Sequence, residues 1–183
     1  MKDVNFYWQE AFKFTIGAEI GGDWINGGYT NDPLDPGGET KFGISKRAHP
    51  NEDIKNLTVD RSKEIYYKFY WLPSNCTPLV TIGFPLTAFV IFDTAFNCGS
   101  KTAKKLLQKC LIGIEADGII GSQTMKAIAK CEDLNLAESI LIERQKYYDL
   151  IISKNQTLKK FKNGWTNRIK ALSKKINELS NIA

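Results

Sequence analysis

The chain has 183 residues, of which 43% are hydrophobic and 11% aromatic, so it can bury a core, and an intrinsically disordered protein is excluded. Its formal net charge of +5 is unevenly distributed: residues 1–60 carry ten acidic and six basic side chains, whereas residues 151–183 carry eight basic and one acidic. The basic end favours an anionic partner such as nucleic acid, a membrane surface or a cell-wall polymer, although a solvated helix face has the same pattern.

The cysteines and the apolar segments restrict the class of protein further. Cys76, Cys98, Cys110 and Cys131 have neither the paired spacing of a zinc site nor the density of a disulfide scaffold, so we predict reduced, mostly buried thiols. The amino terminus lacks the apolar h-region of a secretory signal, and no segment approaches the roughly 20 apolar residues that span a bilayer. We therefore expect a protein made in the cytoplasm that needs another route to any external target.

The first third of the chain predicts a helix followed by a glycine-rich loop. Apolar side chains recur at three- and four-residue steps over residues 3–19, which indicates an amphipathic helix, with Asp3 as its N-cap and Gly21-Gly22 as its end. Residues 21–45 contain two further Gly-Gly pairs and two prolines. They predict a loop with a small β-hairpin near residues 27–45.

The rest of the chain predicts helices. Residues 85–99 are apolar all round, which is typical of a buried central helix. Asp117-Gly118 predicts a turn and Ser122 a helix cap, and Asn135 with Glu138 predicts a capping box. The remaining predicted helices cover residues 58–71, 101–110, 135–153 and 165–179. We predict a mostly α (α+β) fold with one domain over residues 1–183.

Glu19 stands at the end of the first predicted helix, in line with its apolar face. It follows Trp8 by eleven residues and Phe12 by seven, so each of these two side chains lies within about 20° of Glu19 on a helix. Burial against apolar side chains disfavours the charged carboxylate, and we expect a raised pKa for Glu19. A general acid needs this property, and glycoside hydrolysis pairs such an acid with a second carboxylate.

The loop after Glu19 supplies candidates for that second carboxylate. They are Asp23, Asp32, Asp35 and Glu39. Thr40 could hold a water molecule beside them. Two other interpretations stay open. Aspartates also form turns in Asn-Asp-Pro and Asp-Pro-Gly, and Asp32, Asp35 and Glu39 could bind calcium, although the two prolines and the spacing do not fit the EF-hand pattern. His49, the single histidine, has no serine or cysteine motif near it and is interpreted as an ordinary surface residue.

Six sequence blocks occur in a recognisable order. They are GGYTNDPLDPGGETKFGIS, AHPNEDIKNLT, EIYYKFYWLP, FDTAFNCG, ADGIIGSQT and FKNGWTNRI. The set resembles the glycoside hydrolase family 108 lysozymes, N-acetylmuramidases common among phage endolysins, and the last third resembles the peptidoglycan-binding-like region that accompanies them. The resemblance implies a lysozyme-like helical fold with a catalytic segment over residues 1–96 and a helical binding region over residues 97–183. It also implies hydrolysis of the β-1,4 bond between N-acetylmuramic acid and N-acetylglucosamine, without a metal or organic cofactor.

The family's catalytic glutamate directly precedes Gly-Gly-Tyr, whereas this chain has Asn26 before Gly27-Gly28-Tyr29. Either Glu19 is the acid and about seven residues are inserted after it, or Asn26 occupies the position and the acid is lost. We expect the first, because Glu19 has the helix-end position and an asparagine cannot donate the required proton. Asp35 and Thr40 match the family's motif without a shift, so the resemblance implies that they act as the base or hold the attacking water, which would invert the anomeric centre.

The resemblance also suggests binding residues and leaves rival functions open. Tyr29 and Phe42 are candidates for stacking on sugars, with core packing as the alternative, and Asn97 is a candidate for binding an N-acetyl group. Trp165 and Arg168 are expected to hold the last helix on the domain. We expect a monomeric muramidase that binds peptidoglycan glycan strands, not nucleic acid or the membrane interior, and reaches the wall after release or secretion. The alternatives are an inactive wall-binding protein of the same fold and a nucleic-acid-binding protein that uses the basic end.

Overall fold

The computed structural model describes residues 3–32 and 37–182. Within these residues the chain is predominantly helical with one two-stranded antiparallel sheet, which confirms the predicted fold class. The elements are α1 (Val4–Ile20), β1 (Thr40–Lys41), β2 (Ile44–Ser45), α2 (Val59–Tyr66), α3 (Cys76–Thr81), α4 (Pro85–Cys98), α5 (Ser100–Lys109), α6 (Ser122–Ile128), α7 (Asp133–Lys154) and α8 (Lys162–Ser180). A π-helical turn covers Tyr67–Trp71 and a 3₁₀ turn covers Gln156–Phe161. None of the described helices combines the length and apolar character needed to cross a membrane.

The chain divides into two compact units. The helical unit consists of Met1–Trp8 and Tyr70–Ala183, and the hairpin unit consists of Gln9–Phe69. The first residues of α1 therefore belong to the helical unit and the remainder to the hairpin unit. The predicted single domain with a catalytic segment ending at residue 96 stays a prediction.

In the helical unit, α4 forms the centre of the core. Its residues from Pro85 to Ala95 are all buried, and it packs against α3, α5, α7 and α8, as its uniformly apolar sequence predicts. Phe92 of α4 makes edge-to-face contacts with Trp8 and Trp71, with ring centroids 5.4 and 5.6 Å away. Aromatic rings packed in this geometry contribute beyond the area that they bury.

The N-terminus of α4 is capped by a residue from a distant part of the chain. The Asp133 carboxylate accepts hydrogen bonds from the backbone N–H groups of Leu86 at 2.8 Å and Thr87 at 2.9 Å. α7 accordingly begins at Asp133 and not at the predicted capping box, and Asn135 instead donates to the side chain of Glu132. The Ser122 cap is also wrong, because Ser122 is the first residue of α6 and Gly121 precedes it without a side-chain hydrogen bond.

The part of α1 that belongs to the hairpin unit buries Phe12, Ile16 and Ile20. The predicted helix and its cap are confirmed, since Asp3 accepts a hydrogen bond from the N–H of Phe6 at 2.8 Å and the helix ends at Ile20. α2 begins after Thr58, whose hydroxyl accepts from the N–H of Arg61 at 3.1 Å. The predicted continuous helix over residues 58–71 is therefore an α-helix to Tyr66 followed by the π-helical turn.

The predicted hairpin is present but very short. Thr40 pairs with Ser45 and Lys41 with Ile44, and the two residues between the strands, Phe42 and Gly43, have φ of 52° and 70°. Two positive φ angles in a two-residue loop are the pattern of a type I′ turn, whose twist matches that of the strands. The Tyr66 hydroxyl donates to the carbonyl of Phe42 at 2.9 Å, which attaches α2 to the turn.

All four cysteines are free thiols. Cys76 is buried, Cys98 and Cys110 are half-buried, and Cys131 is exposed. Burial raises the pKa of the Cys110 thiol to about 12, so it is protonated at neutral pH. Cys131 is exposed and is therefore an exception to the prediction that the thiols are mostly buried.

Candidate active site

The loop after α1 leaves the end of the helix and returns to it. Gly21 and Gly22 take φ of 57° and 86°, which glycine adopts without steric cost. The chain then turns back, with the N–H of Gly27 donating to the carbonyl of Asp23 at 2.8 Å. Gly28 packs so tightly on the helix end that an added Cβ would lie 3.2 Å from the Cα of Ile20. The Gly27-Gly28-Tyr29 motif therefore lies against the residue that follows Glu19.

Glu19 is exposed in the last turn of α1. The expectation that it ends the buried face is wrong, because that face continues through Phe12 and Ile16 to Ile20, at four-residue steps. The returning loop covers Ile20, and Glu19 lies one residue, or about 100°, away from it on the helix. Among the residues that the structure describes, Glu19 thus lacks the apolar surroundings that would raise its pKa for a role as general acid.

The returning segment pairs with the hairpin strand that carries Thr40. Thr30 and Thr40 exchange two backbone hydrogen bonds, each of 2.9 Å. The Thr40 hydroxyl is partly exposed and donates to the carbonyl of Gly38 at 3.3 Å. Its oxygen keeps a lone pair for a further donor, such as a water molecule. Asp35, the expected partner of Thr40, lies outside the described residues.

Tyr29 and Glu39, which directly precede the paired residues Thr30 and Thr40, are joined by a side-chain hydrogen bond. The Tyr29 hydroxyl donates to a carboxylate oxygen of Glu39 at 2.8 Å. This hydrogen bond raises the pKa of Tyr29, because it stabilises the neutral phenol beside a negative charge. Both residues are predicted as site residues, but their pairing is not. The pairing follows from the return of the loop to the hairpin, because the loop carries Tyr29, and Glu39 directly precedes β1.

The other predicted binding residues have different surroundings. Phe42 is only 2% exposed, and its ring lies against Gly27. The interpretation of Phe42 as a sugar-stacking residue is therefore wrong, and its alternative, core packing, is correct. Asn97 belongs to the helical unit, where it is exposed near the end of α4 and its amide donates to the carbonyl of Asp93 at 2.8 Å.

A buried charged cluster in the helical unit was not predicted. Asp93 is fully buried and accepts hydrogen bonds from Arg144 at 2.7 Å and Arg168 at 2.6 Å. Burial alone would raise the pKa of Asp93, but the two guanidinium groups lower it below its ordinary value. Trp165 stacks on Tyr148 with ring centroids 4.5 Å apart. The expected role of Trp165 and Arg168 in holding the last helix is confirmed.

The acidic residues of the described chain do not form a metal site. Among residues 3–32 and 37–182, no group of three or more histidine, cysteine or acidic side chains is placed to hold a metal ion. The calcium interpretation included Asp35, which lies outside the described residues, so this alternative stays untested.

Comparison with known proteins identifies two successive segments. Residues 24–99 match the family described as Glycosyl hydrolase 108, and residues 102–170 match the family described as Predicted Peptidoglycan domain. No curated protein matches the chain significantly. Among solved structures, the chain is similar to SagA of Brucella abortus, with 23% identity, 96% of each chain covered and a TM-score of 0.74, which shows a common fold. The predicted resemblance is confirmed, and the two segments support a lysozyme-like role on peptidoglycan.

Proposed function

We propose that this chain, in which a glycosyl hydrolase 108 segment precedes a predicted peptidoglycan domain, is an N-acetylmuramidase of the endolysin type. The observation that carries the proposal is the return of Gly27-Gly28-Tyr29 to the end of α1, where Gly28 packs on Ile20. In the lysozymes that the sequence resembles, the catalytic acid directly precedes Gly-Gly-Tyr. Here the residues between Glu19 and Gly27 form a loop that returns to the end of α1. The Gly27-Gly28-Tyr29 motif therefore lies against Ile20, the residue that follows Glu19, despite the inserted residues.

The proposed reaction cleaves the bond between N-acetylmuramic acid and N-acetylglucosamine. Glu19 donates a proton to the glycosidic oxygen, while Asp35 and Thr40 orient the attacking water. A glycan strand bound over the exposed end of α1 would exclude water from Glu19 and so supply the desolvation that the free protein lacks. Tyr29, held by Glu39 at 2.8 Å, presents a fixed aromatic ring on the same segment. Delivery to the wall after release or secretion is part of this proposal.

A second candidate is a wall-binding protein without hydrolytic activity. The family match begins at residue 24, so it includes Asn26 and excludes Glu19. Asn26 is exposed, and its backbone N–H donates to the Asp23 carboxylate at 3.0 Å. An amide at this position cannot act as the general acid, and Glu19 is not buried. The amide at position 26 and the exposure of Glu19 favour a protein that binds the cell wall without hydrolysing it.

Release of new reducing ends from purified peptidoglycan separates the two candidates. We compare the native chain with Glu19→Gln, Asn26→Glu and, as a matched control, Glu64→Gln, which changes an exposed glutamate on α2. If Glu19 is the acid, Glu19→Gln lowers the rate by about 10²-fold or more, and the control retains full activity. Circular dichroism and urea unfolding verify that all variants are folded.

The opposite pattern identifies the binding protein. In that case the native chain sediments with peptidoglycan sacculi but releases no reducing ends, and Asn26→Glu gains activity because it restores a carboxyl group before Gly-Gly-Tyr. Equal activity in the native chain and Glu19→Gln would remove Glu19 from the mechanism. A native chain that neither binds nor cleaves several wall types would reject both candidates.

A further inference from the structure

A groove lies between α1 and α2 in the hairpin unit. Its volume is about 400 Å³, which is within the range of sites for small molecules, roughly 300–1,000 Å³. The side chains that line it are those of Gln9, Phe12, Lys13, Trp24, Val59 and Lys63. The groove thus combines aromatic, amide and cationic groups, and none of these six side chains is acidic.

Trp24 gives the groove an accessible aromatic surface. Its side chain is 39% exposed, whereas Trp8 and Trp71 are 6% and 0% exposed. The indole is supported by α1, because a Cβ added at Gly17 would lie 3.7 Å from its Cζ2 atom, an ordinary van der Waals contact. An indole that is held on one side and open on the other can stack on the apolar face of a sugar ring.

Two lysines give the groove a positive potential. Lys13 is exposed, and its ammonium lies 3.9 Å from the half-buried carboxylate of Glu10, which is outside the groove lining. The ammonium of Lys63 lies 5.9 Å from the ring centroid of Phe12. Phe12 is itself only 3% exposed. Lys63 makes no ion pair with any residue that the structure describes. A carboxylate bound beside the indole would therefore meet two cations.

We propose that this groove is a subsite for an N-acetylated sugar that bears a carboxylate, with the ring on Trp24 and the carboxylate between Lys13 and Lys63. In peptidoglycan this chemistry belongs to N-acetylmuramic acid, whose lactyl carboxyl group is free in a denuded strand. N-acetylglucosamine has the same ring and acetamido group but no charge. The subsite rests on the proposed action on peptidoglycan and specifies which of its two sugars is recognised.

Titration calorimetry with two disaccharides tests the subsite. The probes are N-acetylglucosaminyl-N-acetylmuramic acid, which is anionic, and di-N-acetylchitobiose, which is neutral. We expect Trp24→Leu to weaken binding of the anionic probe by about three- to tenfold, the range for one aromatic contact. Trp24→Phe, which keeps a ring, restores most of the affinity. The double variant Lys13→Gln/Lys63→Gln weakens binding of the anionic probe only, and this difference shrinks at high salt.

Matched controls use residues of the same unit outside the groove. Phe69→Leu removes another half-exposed aromatic ring, and Lys55→Gln removes an exposed lysine; both should bind as the native chain does. Unchanged affinity in Trp24→Leu, or no binding of the anionic probe by a native chain that acts on sacculi, would overturn the subsite alone. A native chain that neither binds nor cleaves sacculi would overturn the proposed function and the subsite with it.

Discussion

At the scale of single residues, the contact between Gly27 and Phe42 determines how the loop joins the hairpin. Gly27 has φ of 65° and Phe42 has φ of 52°, a left-handed conformation that costs roughly 1–2 kcal/mol for a residue with a side chain. Burial of the Phe42 ring offsets this cost, since a fully buried phenylalanine contributes about 1.5–3 kcal/mol. The ring occupies the space that a side chain at position 27 would need.

Gly27→Ala should therefore destabilise the hairpin unit. The added Cβ would lie 2.5 Å from Cε1 of Phe42, so the ring or the loop must move, and we expect the free energy of unfolding to fall by about 1–3 kcal/mol. Gly17→Ala is the matched control, because Gly17 lies inside α1 without a positive φ and has only an ordinary contact with Trp24. It should raise the stability by about 0.5–1 kcal/mol. Urea unfolding measures both, and equal effects would contradict the packing argument.

At the scale of elements, the structure follows the sequence where an element's own residues decide it. The spacing of apolar residues predicts α1, and the uniformly apolar sequence predicts α4, because burial dominates both helices. The start of α7 could not be predicted from its own residues, because Asp133 at that position caps α4, and Thr87 of α4 lies 46 residues earlier in the chain. The exposure of Glu19 was missed for a similar reason, because the returning loop decides which side of the last turn of α1 is covered.

The cluster around Asp93 is the clearest case of an unpredictable interaction. Its partners Arg144 and Arg168 lie 51 and 75 residues away, and no local motif connects them. The cluster joins α4, α7 and α8 through one carboxylate. Removing one partner of a buried ion pair leaves an uncompensated charge and typically costs about 3–5 kcal/mol, so each of these helices depends on Asp93 for its packing.

Asp93→Asn should lower the free energy of unfolding by about 3–5 kcal/mol near neutral pH. The pKa of Asp93 is lowered in the folded protein, so its stabilisation is complete above the ordinary aspartate pKa of about 3.9 and is lost as pH falls through the lower folded value. The difference in the free energy of unfolding between the native chain and Asp93→Asn should thus be constant above about pH 5 and shrink below about pH 4.

Asp149→Asn is the control for this pH series. Asp149 lies on α7, the helix that carries Arg144, and pairs with Lys162 at 3.5 Å, but its side chain is 51% exposed, so we expect a loss of at most about 1 kcal/mol. Guanidinium-chloride unfolding followed by circular dichroism at several pH values measures both variants. If the difference in the free energy of unfolding between the native chain and Asp93→Asn grows as the pH falls, the buried charge of Asp93 destabilises the fold.

At the scale of the whole molecule, the uneven charge seen in the sequence lies on the carboxy-terminal elements. Lys154, Lys159 and Lys160 are exposed at the end of α7 and in the 3₁₀ turn that follows. They lie within residues 102–170, which match the predicted peptidoglycan domain. Peptidoglycan stem peptides carry carboxylates, so this surface should strengthen adsorption to the wall by electrostatic attraction.

Replacing these three lysines by glutamine should therefore weaken retention on purified sacculi at low salt. The Debye length falls from about 10 Å at 0.1 M salt to about 3 Å at 1 M, so the difference from the native chain should disappear as salt is added. The matched control replaces Lys46, Lys55 and Lys68, which are exposed in the hairpin unit. It removes the same net charge from a different surface, so it should retain near-native binding, and cosedimentation over a salt series measures all three proteins.

The two triple variants separate a local binding surface from a general effect of charge. Equal losses in both would mean that only the net charge matters, and no loss in either would remove electrostatics from wall binding. A parallel titration with duplex DNA tests the remaining class of function, because DNA binding depends steeply on salt through the release of counterions from phosphates. Binding to DNA at physiological salt that the carboxy-terminal variant abolishes, with no retention on sacculi, would show that the basic surface serves a nucleic acid.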